Sequence, residues 1–168
     1  MNVRENIELA CRLETCGKNG GNYETGDLIN LVGLTGYENH FPHNESSGFR
    51  FRISLARALM FNPVVLLLDD CFKKMDSATR EEIYNLVYDI SKKVNPYFIL
   101  ATTNVLEAIR LSGRIFLMSK NPGRIYNDIK ISGEFIHNYR NEEFSGYRNL
   151  IEDAYNKENQ LGTMNFSI

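Results

Sequence analysis

The chain has 168 residues, of which 43% are hydrophobic and 24% charged, and its formal net charge is −2. This composition is typical of a globular domain with a buried core. The near-neutral net charge gives no basic field that would point to nucleic acid, so we expect no nucleic acid among its partners. Its three cysteines form no CxxC pair, which argues against a disulfide framework or a zinc site and favours a reducing compartment. No apolar run is long enough to cross a bilayer.

Residues 1–61 predict a helical subdomain. Asn2 and Glu5 have the spacing of a capping box, which marks the start of a helix. A second short helix is expected to end just before Gly33, because glycine is favoured directly after a helix C-terminus.

A third helix is predicted after a polar loop, with Ser46 or Ser47 as its N-cap. Arg50 and Arg52 of this helix are expected on a solvated or interface face. Its apolar residues recur at intervals of three and four, as a core-facing helix requires: Ile53, Ala56, Leu59 and Met60.

The apolar run at residues 64–68 is short, continuous and branched, which favours a strand buried on both faces. It ends at Asp69 and Asp70, so the strand would deliver two carboxylates to its C-terminal end. The next helix is expected to start with a capping box formed by Thr79 and Glu82. Later strands are predicted at residues 97–102, 114–118 and 124–131, with a helix between the first two.

This order of elements predicts an α/β protein with three parts. The helical subdomain covers residues 1–61. An α/β part with a mostly parallel sheet and flanking helices covers residues 62–135, and a C-terminal helical tail covers residues 136–168.

Several segments together resemble the ATP-binding subunit of an ABC (ATP-binding cassette) transporter. The resemblance runs from residue 2 to about residue 131. Residues 114–125 are similar to the branch of importer ATPases that serves nitrate, sulfonate and taurine. The family's motifs correspond to residues 45–49 (the LSGGQ signature), 65–70 (Walker B), 74–76 (D-loop) and 99–104 (switch strand).

The resemblance implies a partial P-loop NTPase fold of the ABC ATPase type and assigns roles to individual residues. Asp69 would hold Mg²⁺, and Asp70 stands at the position of the family's catalytic glutamate. The remaining positions would contact nucleotide: Ser46, Ser47, Gly48, Asp76 and Thr103.

The chain departs from the family pattern at several of these points. It contains no GxxxxGKS/T loop, which would supply the phosphate cradle. Asp70 replaces glutamate, Thr103 replaces the switch histidine, and three signature positions differ. We therefore expect a degenerate or truncated subunit that is unable to bind or hydrolyse ATP alone.

The resemblance also implies partners. The chain would act with an ABC ATPase subunit, as a homodimer or heterodimer, and would share ATP and Mg²⁺ in a composite site. A transmembrane permease would place it at the cytoplasmic, inner face of the membrane. Two alternatives stay open: the chain is a non-catalytic binding or regulatory module that keeps the fold without nucleotide, or Ser46 and Ser47 are only helix caps.

Overall fold

The computed structural model describes residues 1–12 and 23–164. Residues 17–22, whose glycines, asparagines and lysine predict a loop, lie outside the described residues. The chain divides into two compact units, Met1–Ala101 and Thr102–Ile168. This division falls inside the predicted α/β part. The expected subdomain boundaries after residues 61 and 135 stay predictions.

Short helices make up the first part of unit 1. Asn2 caps the first helix as predicted. Its Oδ1 accepts a hydrogen bond from the backbone amide of Glu5 at 2.8 Å, and the backbone amide of Asn2 donates to Glu5 Oε2 at 2.9 Å. Gly33 has a φ of +70° and follows the end of the second helix, also as predicted. The elements are α1 (Val3–Glu8), a 3₁₀ turn (Leu9–Arg12), α2 (Thr25–Leu31), a 3₁₀ turn (Pro42–Asn44) and α3 (Ser47–Leu59).

A strand–helix–strand segment completes unit 1. β1 (Val65–Asp69) and β2 (Tyr97–Ala101) pair in parallel, and α4 (Ser77–Lys93) connects them. A single core joins the helices to this sheet; its fully buried members include Val3, Ile7, Leu28, Val32, Ala56, Leu59 and Ile90, and Leu66 of β1 is 7% exposed.

The expectation that the first strand is buried on both faces is wrong. Leu66 and Leu68 are buried, but Val65 and Leu67 on the other face are exposed. An apolar strand is buried on both faces only where other parts of the protein cover both faces of the sheet. In the described residues, the helices cover one face.

Unit 2 contains α5 (Val105–Leu111), β3 (Arg114–Met118), β4 (Ile125–Lys130) and α6 (Glu142–Met164). β3 and β4 form an antiparallel pair, and the core between them and the helices is built from Ile109, Ile115, Ile129, Phe135, Phe144 and Ile151. In the parts of the chain that are described, no helix is long and apolar enough to cross a membrane.

The predicted fold class is confirmed, because the chain is mixed α/β with a parallel strand pair and flanking helices. The third predicted strand differs in one respect. Among the described strands, β3 pairs with β4 and not with the parallel pair, so the strands form two two-stranded sheets.

Candidate functional site

The signature segment lies at the start of α3, where Ser46 is the N-cap. Its hydroxyl oxygen accepts a hydrogen bond from the Phe49 amide at 3.2 Å, and the side chain is exposed. Ser47 behaves differently, because its hydroxyl donates to the Lys74 carbonyl oxygen at 3.2 Å. This bond ties the signature segment to the loop that precedes α4. The structure thus brings two of the predicted motifs together.

Gly48 packs against the first turn of α4. It is buried, and a Cβ atom built on it would overlap the Cγ2 methyl of Thr79. A side chain at this position would force α3 or α4 to shift. Glycine therefore allows the two helix starts to approach closely.

Asp76 is the N-cap of α4. Its carboxylate accepts hydrogen bonds from the Thr79 amide at 3.0 Å and from the Thr79 hydroxyl at 2.6 Å. These bonds, the hydroxyl bond first, hold the pKa of Asp76 below its ordinary value because they favour the charged form. The predicted capping box of Thr79 and Glu82 is wrong. The helix begins one turn earlier, where a carboxylate caps it and complements its dipole.

An open groove of about 270 Å³ lies beside the signature segment. Arg52 lines it together with eight other residues: Gly33, Leu34, Tyr37, Ser46, Gly48, Phe49, Thr79 and Glu82. The groove is open. Among the described residues that line it, no buried side-chain nitrogen or oxygen lacks a hydrogen-bond partner, so the groove identifies no ligand by itself.

Arg52 was expected on a solvated or interface face, and the solvated alternative is wrong for this residue. Its Nη1 donates to the Val32 carbonyl oxygen at 2.8 Å, its Nη2 lies 3.4 Å from Glu82 Oε2, and its side chain is 20% exposed. Arginine here satisfies a carbonyl at the end of α2 and links it to α4. The signal in the sequence is the helix end at Val32–Gly33, whose carbonyls need a donor.

The two acids at the carboxyl end of the first strand differ in their contacts. Asp69 is the last residue of β1, and its exposed carboxylate makes no hydrogen bond or ion pair with the described side chains. Asp70 has a left-handed backbone with a φ of +45°, its amide donates to the Ala101 carbonyl oxygen at 2.9 Å, and its Oδ2 lies 3.5 Å from Lys73 Nζ. Asp69 is therefore the more available ligand.

Thr103 belongs to unit 2 and is exposed. Its neighbours are fixed: the Thr102 hydroxyl donates to Glu107 Oε2 at 2.6 Å, and Asn104 caps α5. Glu107 is 4% exposed, so the segment around Thr103 is anchored from inside the unit. The Asn104-x-x-Glu107 spacing predicts a helix that starts after Asn104 and runs to Leu111, and this prediction is confirmed.

The described residues do not build a complete ATP·Mg²⁺ site. No three His, Cys, Asp or Glu side chains of residues 1–12 and 23–158 gather to hold a metal ion. The sequence also lacks a GxxxxGKS/T phosphate cradle. What remains is one available carboxylate, Asp69, and the capped start of α3. These residues do not fit the nucleotide and its metal without groups from elsewhere.

No protein-family model matches the chain. Individual relatives do. The chain is 34% identical over 125 residues to the taurine import ATP-binding protein TauB of Burkholderia thailandensis, covering 74% of this chain and 48% of TauB. It is 30% identical over 132 residues to the nitrate import ATP-binding protein NrtD of Synechocystis, covering 79% of this chain and 50% of NrtD. An uncharacterized ABC transporter ATP-binding protein of Methanocaldococcus jannaschii, MJ0412, is 32% identical over 149 residues, which is 89% of this chain and 56% of that protein.

A solved structure has a similar fold. It is the dimeric structure of a post-hydrolysis state of the ATP-binding cassette MJ0796 bound to ADP and Pi, with a TM-score of 0.60 and 25% identity. The superposition covers 79% of this chain and 58% of the MJ0796 chain. The chain spans about half the length of the curated relatives it matches. Over about three quarters of its own length, this chain is therefore a homologue of the ATP-binding subunits of ABC importers of the nitrate and taurine type.

Proposed function

We propose that this chain is a component of an ABC importer that contributes the signature side of an ATP site but cannot bind or hydrolyse ATP alone. One observation carries the proposal. The chain is homologous to importer ATPases and keeps an exposed Ser46 at the start of α3, yet it has no GxxxxGKS/T loop. In this proposal the chain serves a composite site, to which a partner brings the phosphate cradle.

The start of α3 is suited to such a contribution. A helix N-terminus presents unpaired amides and a partial positive charge, which favour a phosphate. In this proposal the exposed Ser46 faces the partner's nucleotide, Gly48 lets the start of α3 pack closely on α4, and Ser47 serves structure through its bond to the Lys74 carbonyl. Bound ATP·Mg²⁺ would supply the reactive phosphate, and Asp69 is the carboxylate that is available toward the metal.

Asp70 is poorly suited to activate water. Its side chain is one methylene shorter than glutamate, and a misplacement of about 1 Å can cost on the order of a hundredfold in rate. Its carboxylate also lies within ion-pair distance of Lys73. Any hydrolysis in a composite site would therefore depend mainly on groups of the partner.

The expected partners follow from the relatives. TauB and NrtD are named for import of taurine and nitrate. By analogy, the chain would pair with an ABC ATPase subunit and dock on a transmembrane permease at the cytoplasmic face of the membrane. Which solute is carried depends on that permease.

A second candidate is a binding or regulatory module that keeps the fold without nucleotide. The observation in its favour is that several site positions are already engaged. Ser46 caps its own helix, Ser47 bonds to Lys74, and Asp70 pairs with Lys73. In this case the signature would be a structural remnant, and Ser46 would act only as a helix cap.

Nucleotide assays separate the two candidates. The chain alone is expected to show no Mg²⁺-dependent binding of a fluorescent ATP analogue. It is then mixed with full-length TauB of Burkholderia thailandensis whose own signature serine has been changed to arginine, so that hydrolysis needs a signature from elsewhere. We expect this chain to restore hydrolysis, and Ser46→Arg to abolish the effect. Ser145→Arg, an exposed serine of α6, is the matched control.

Two results would count against the proposal. Tight Mg²⁺-dependent binding by the chain alone would show that it has a complete site. Restoration that is equal for Ser46→Arg and Ser145→Arg would remove the role of the signature and favour the module without nucleotide.

A further inference from the structure

The start of α3 places three consecutive residues in three different environments. Ser46 is the N-cap and is exposed. Ser47 is half-buried and donates its hydroxyl to the Lys74 carbonyl oxygen at 3.2 Å. Gly48 is buried against the Thr79 methyl in the first turn of α4. The exposed serine is therefore followed by two residues that are fixed to α4 and to the loop that precedes it.

The loop that carries the Lys74 carbonyl is itself held from both sides. Before it in the sequence, Phe72 is 1% exposed and its ring packs on the Tyr84 ring, with centroids 5.2 Å apart. After it, Met75 is 4% exposed and its carbonyl oxygen accepts a hydrogen bond from Arg80 Nη2 at 2.8 Å. The Lys74 carbonyl is therefore a fixed acceptor, because the loop cannot turn without breaking these buried contacts.

The Ser46 side chain has a proton that its cap bond does not use. Its hydroxyl oxygen accepts from the Phe49 amide at 3.2 Å, and its carbonyl oxygen accepts from the Arg50 amide at 3.1 Å. A serine hydroxyl has one donor and two acceptor lone pairs, so the cap occupies a lone pair and leaves the O–H able to donate. Phosphate oxygens accept such bonds, and a charged acceptor strengthens them. The direction of the O–H depends on how well the first turn is held, because helix ends fray.

We propose that Ser47 is a positioning residue that acts through Ser46. Its bond to the Lys74 carbonyl keeps the first turn of α3 in place, so that the Ser46 hydroxyl is held ready to donate to a phosphate oxygen of the partner's nucleotide. The LSGGQ signature has glycine at the position of Ser47, and glycine has no hydroxyl with which to make this bond. This inference rests on the proposed function, because it names the residue that positions the signature serine.

Hydrogen exchange of the chain alone tests the bond itself. Ser47→Ala removes the hydroxyl and should speed exchange at the Phe49 and Arg50 amides about three- to tenfold, which is the change expected when one neutral hydrogen bond is lost. The matched control is Ser54→Ala, an exposed serine of α3 whose hydroxyl donates to a carbonyl of its own helix, that of Arg50, at 3.0 Å. This variant should leave both exchange rates unchanged.

The mixture with the signature variant of Burkholderia thailandensis TauB tests the positioning. At saturating ATP and saturating chain, Ser47→Ala should lower the maximal restored rate of hydrolysis about three- to tenfold. The chain concentration that gives half of this rate should stay within about twofold, because the complex still forms while Ser46 is misplaced in it. Ser47→Thr keeps the hydroxyl and should recover the wild-type rate, and Ser54→Ala should match it.

A double variant tests whether Ser47 acts through Ser46. Ser46→Ala removes the donor to the phosphate, so adding Ser47→Ala to it should lower the rate no further. Two effects that multiply would mean that Ser47 contributes independently of Ser46, and would overturn the inference.

The remaining outcomes separate this inference from the proposed function. Unchanged exchange at Phe49 and Arg50 in Ser47→Ala would overturn the inference, since the bond would not hold the first turn. Faster exchange with an undiminished maximal rate would overturn it as well, because the bond would then serve stability alone; in both cases hydrolysis restored by the wild-type chain would leave the proposed function standing. If the wild-type chain restores no hydrolysis, the proposed function fails and this inference fails with it.

Discussion

Gly48→Ala tests whether the start of α3 is held by close packing against α4. A Cβ atom at this position would overlap the Thr79 methyl, and the Thr79 side chain is not free to turn away. Its hydroxyl donates to Asp76 Oδ2 at 2.6 Å, so a rotation that moves the methyl also breaks this bond. The added methyl must therefore push the two helices apart or break the bond between Thr79 and the Asp76 cap of α4.

The magnitude follows from two opposing effects. Inserting a methyl into a well-packed contact costs about 1–3 kcal/mol. Replacing glycine by alanine within a helix returns roughly 0.5–1 kcal/mol through backbone entropy. Gly26 isolates the second effect, because it occupies the corresponding second position of α2 and a Cβ there would meet nothing within 4 Å. We expect Gly26→Ala to stabilise the protein and Gly48→Ala to destabilise it, with a difference of about 1–3 kcal/mol.

Urea unfolding followed by far-UV circular dichroism measures both free energies; tyrosine emission is a second probe, since the chain has no tryptophan. Adding Thr79→Ser to Gly48→Ala removes the methyl but keeps the hydroxyl bond to Asp76. The double variant should recover most of the lost stability. Equal effects of Gly48→Ala and Gly26→Ala, or no recovery in the double variant, would refute the packing argument.

Two further predictions concern Asp76 and Asp70. Thr79→Val removes the hydroxyl donor and should raise the pKa of Asp76 toward its ordinary 3.8, as carbon NMR of the carboxyl would show, with the titration of Asp128 unchanged as control. Because the folded pKa of Asp76 is lowered, its contribution to stability is present above about pH 4 and is lost as pH falls through the folded value; this acid-dependent loss should shrink in Thr79→Val. Asp70→Gly should raise the free energy of unfolding by up to about 1 kcal/mol, because the backbone there has a φ of +45°. The neighbouring Asp69→Gly, in an extended strand, should lower it, and a loss of stability in both variants would contradict the strain argument.

Features encoded by neighbouring residues were predictable. The capping box of Asn2 and Glu5 and the glycine at position 33 depend on a few adjacent residues, and both are confirmed. The family resemblance and the fold class are confirmed as well, since they rest on the order of several elements. The cap of α4 was predicted one turn too late, because Thr79 and Glu82 match the capping-box pattern while the shorter-range signal is the carboxylate of Asp76.

Features that depend on residues far apart in the sequence were not predictable. Residues 64–68 are apolar at every position, which predicted burial on both faces, yet exposure is decided by what lies over the sheet. Arg52 was expected on a solvated or interface face, and only the position of Val32, twenty residues earlier, shows which carbonyl it serves. The roles of Ser46, Ser47, Gly48, Asp69, Asp70, Asp76 and Thr103 in nucleotide chemistry stay predictions.

The β1–α4–β2 segment has a consequence for the order of folding. β1 and β2 can pair only after the segment between them closes into a long loop. Closing this loop costs chain entropy, and no contact within either strand offsets that cost. α4 shortens that loop as it forms, and it is stabilised locally by Asp76 at its start and by Lys92 and Lys93 in its last turn. We therefore expect α4 to be structured in the folding transition state, with the strands joining afterwards.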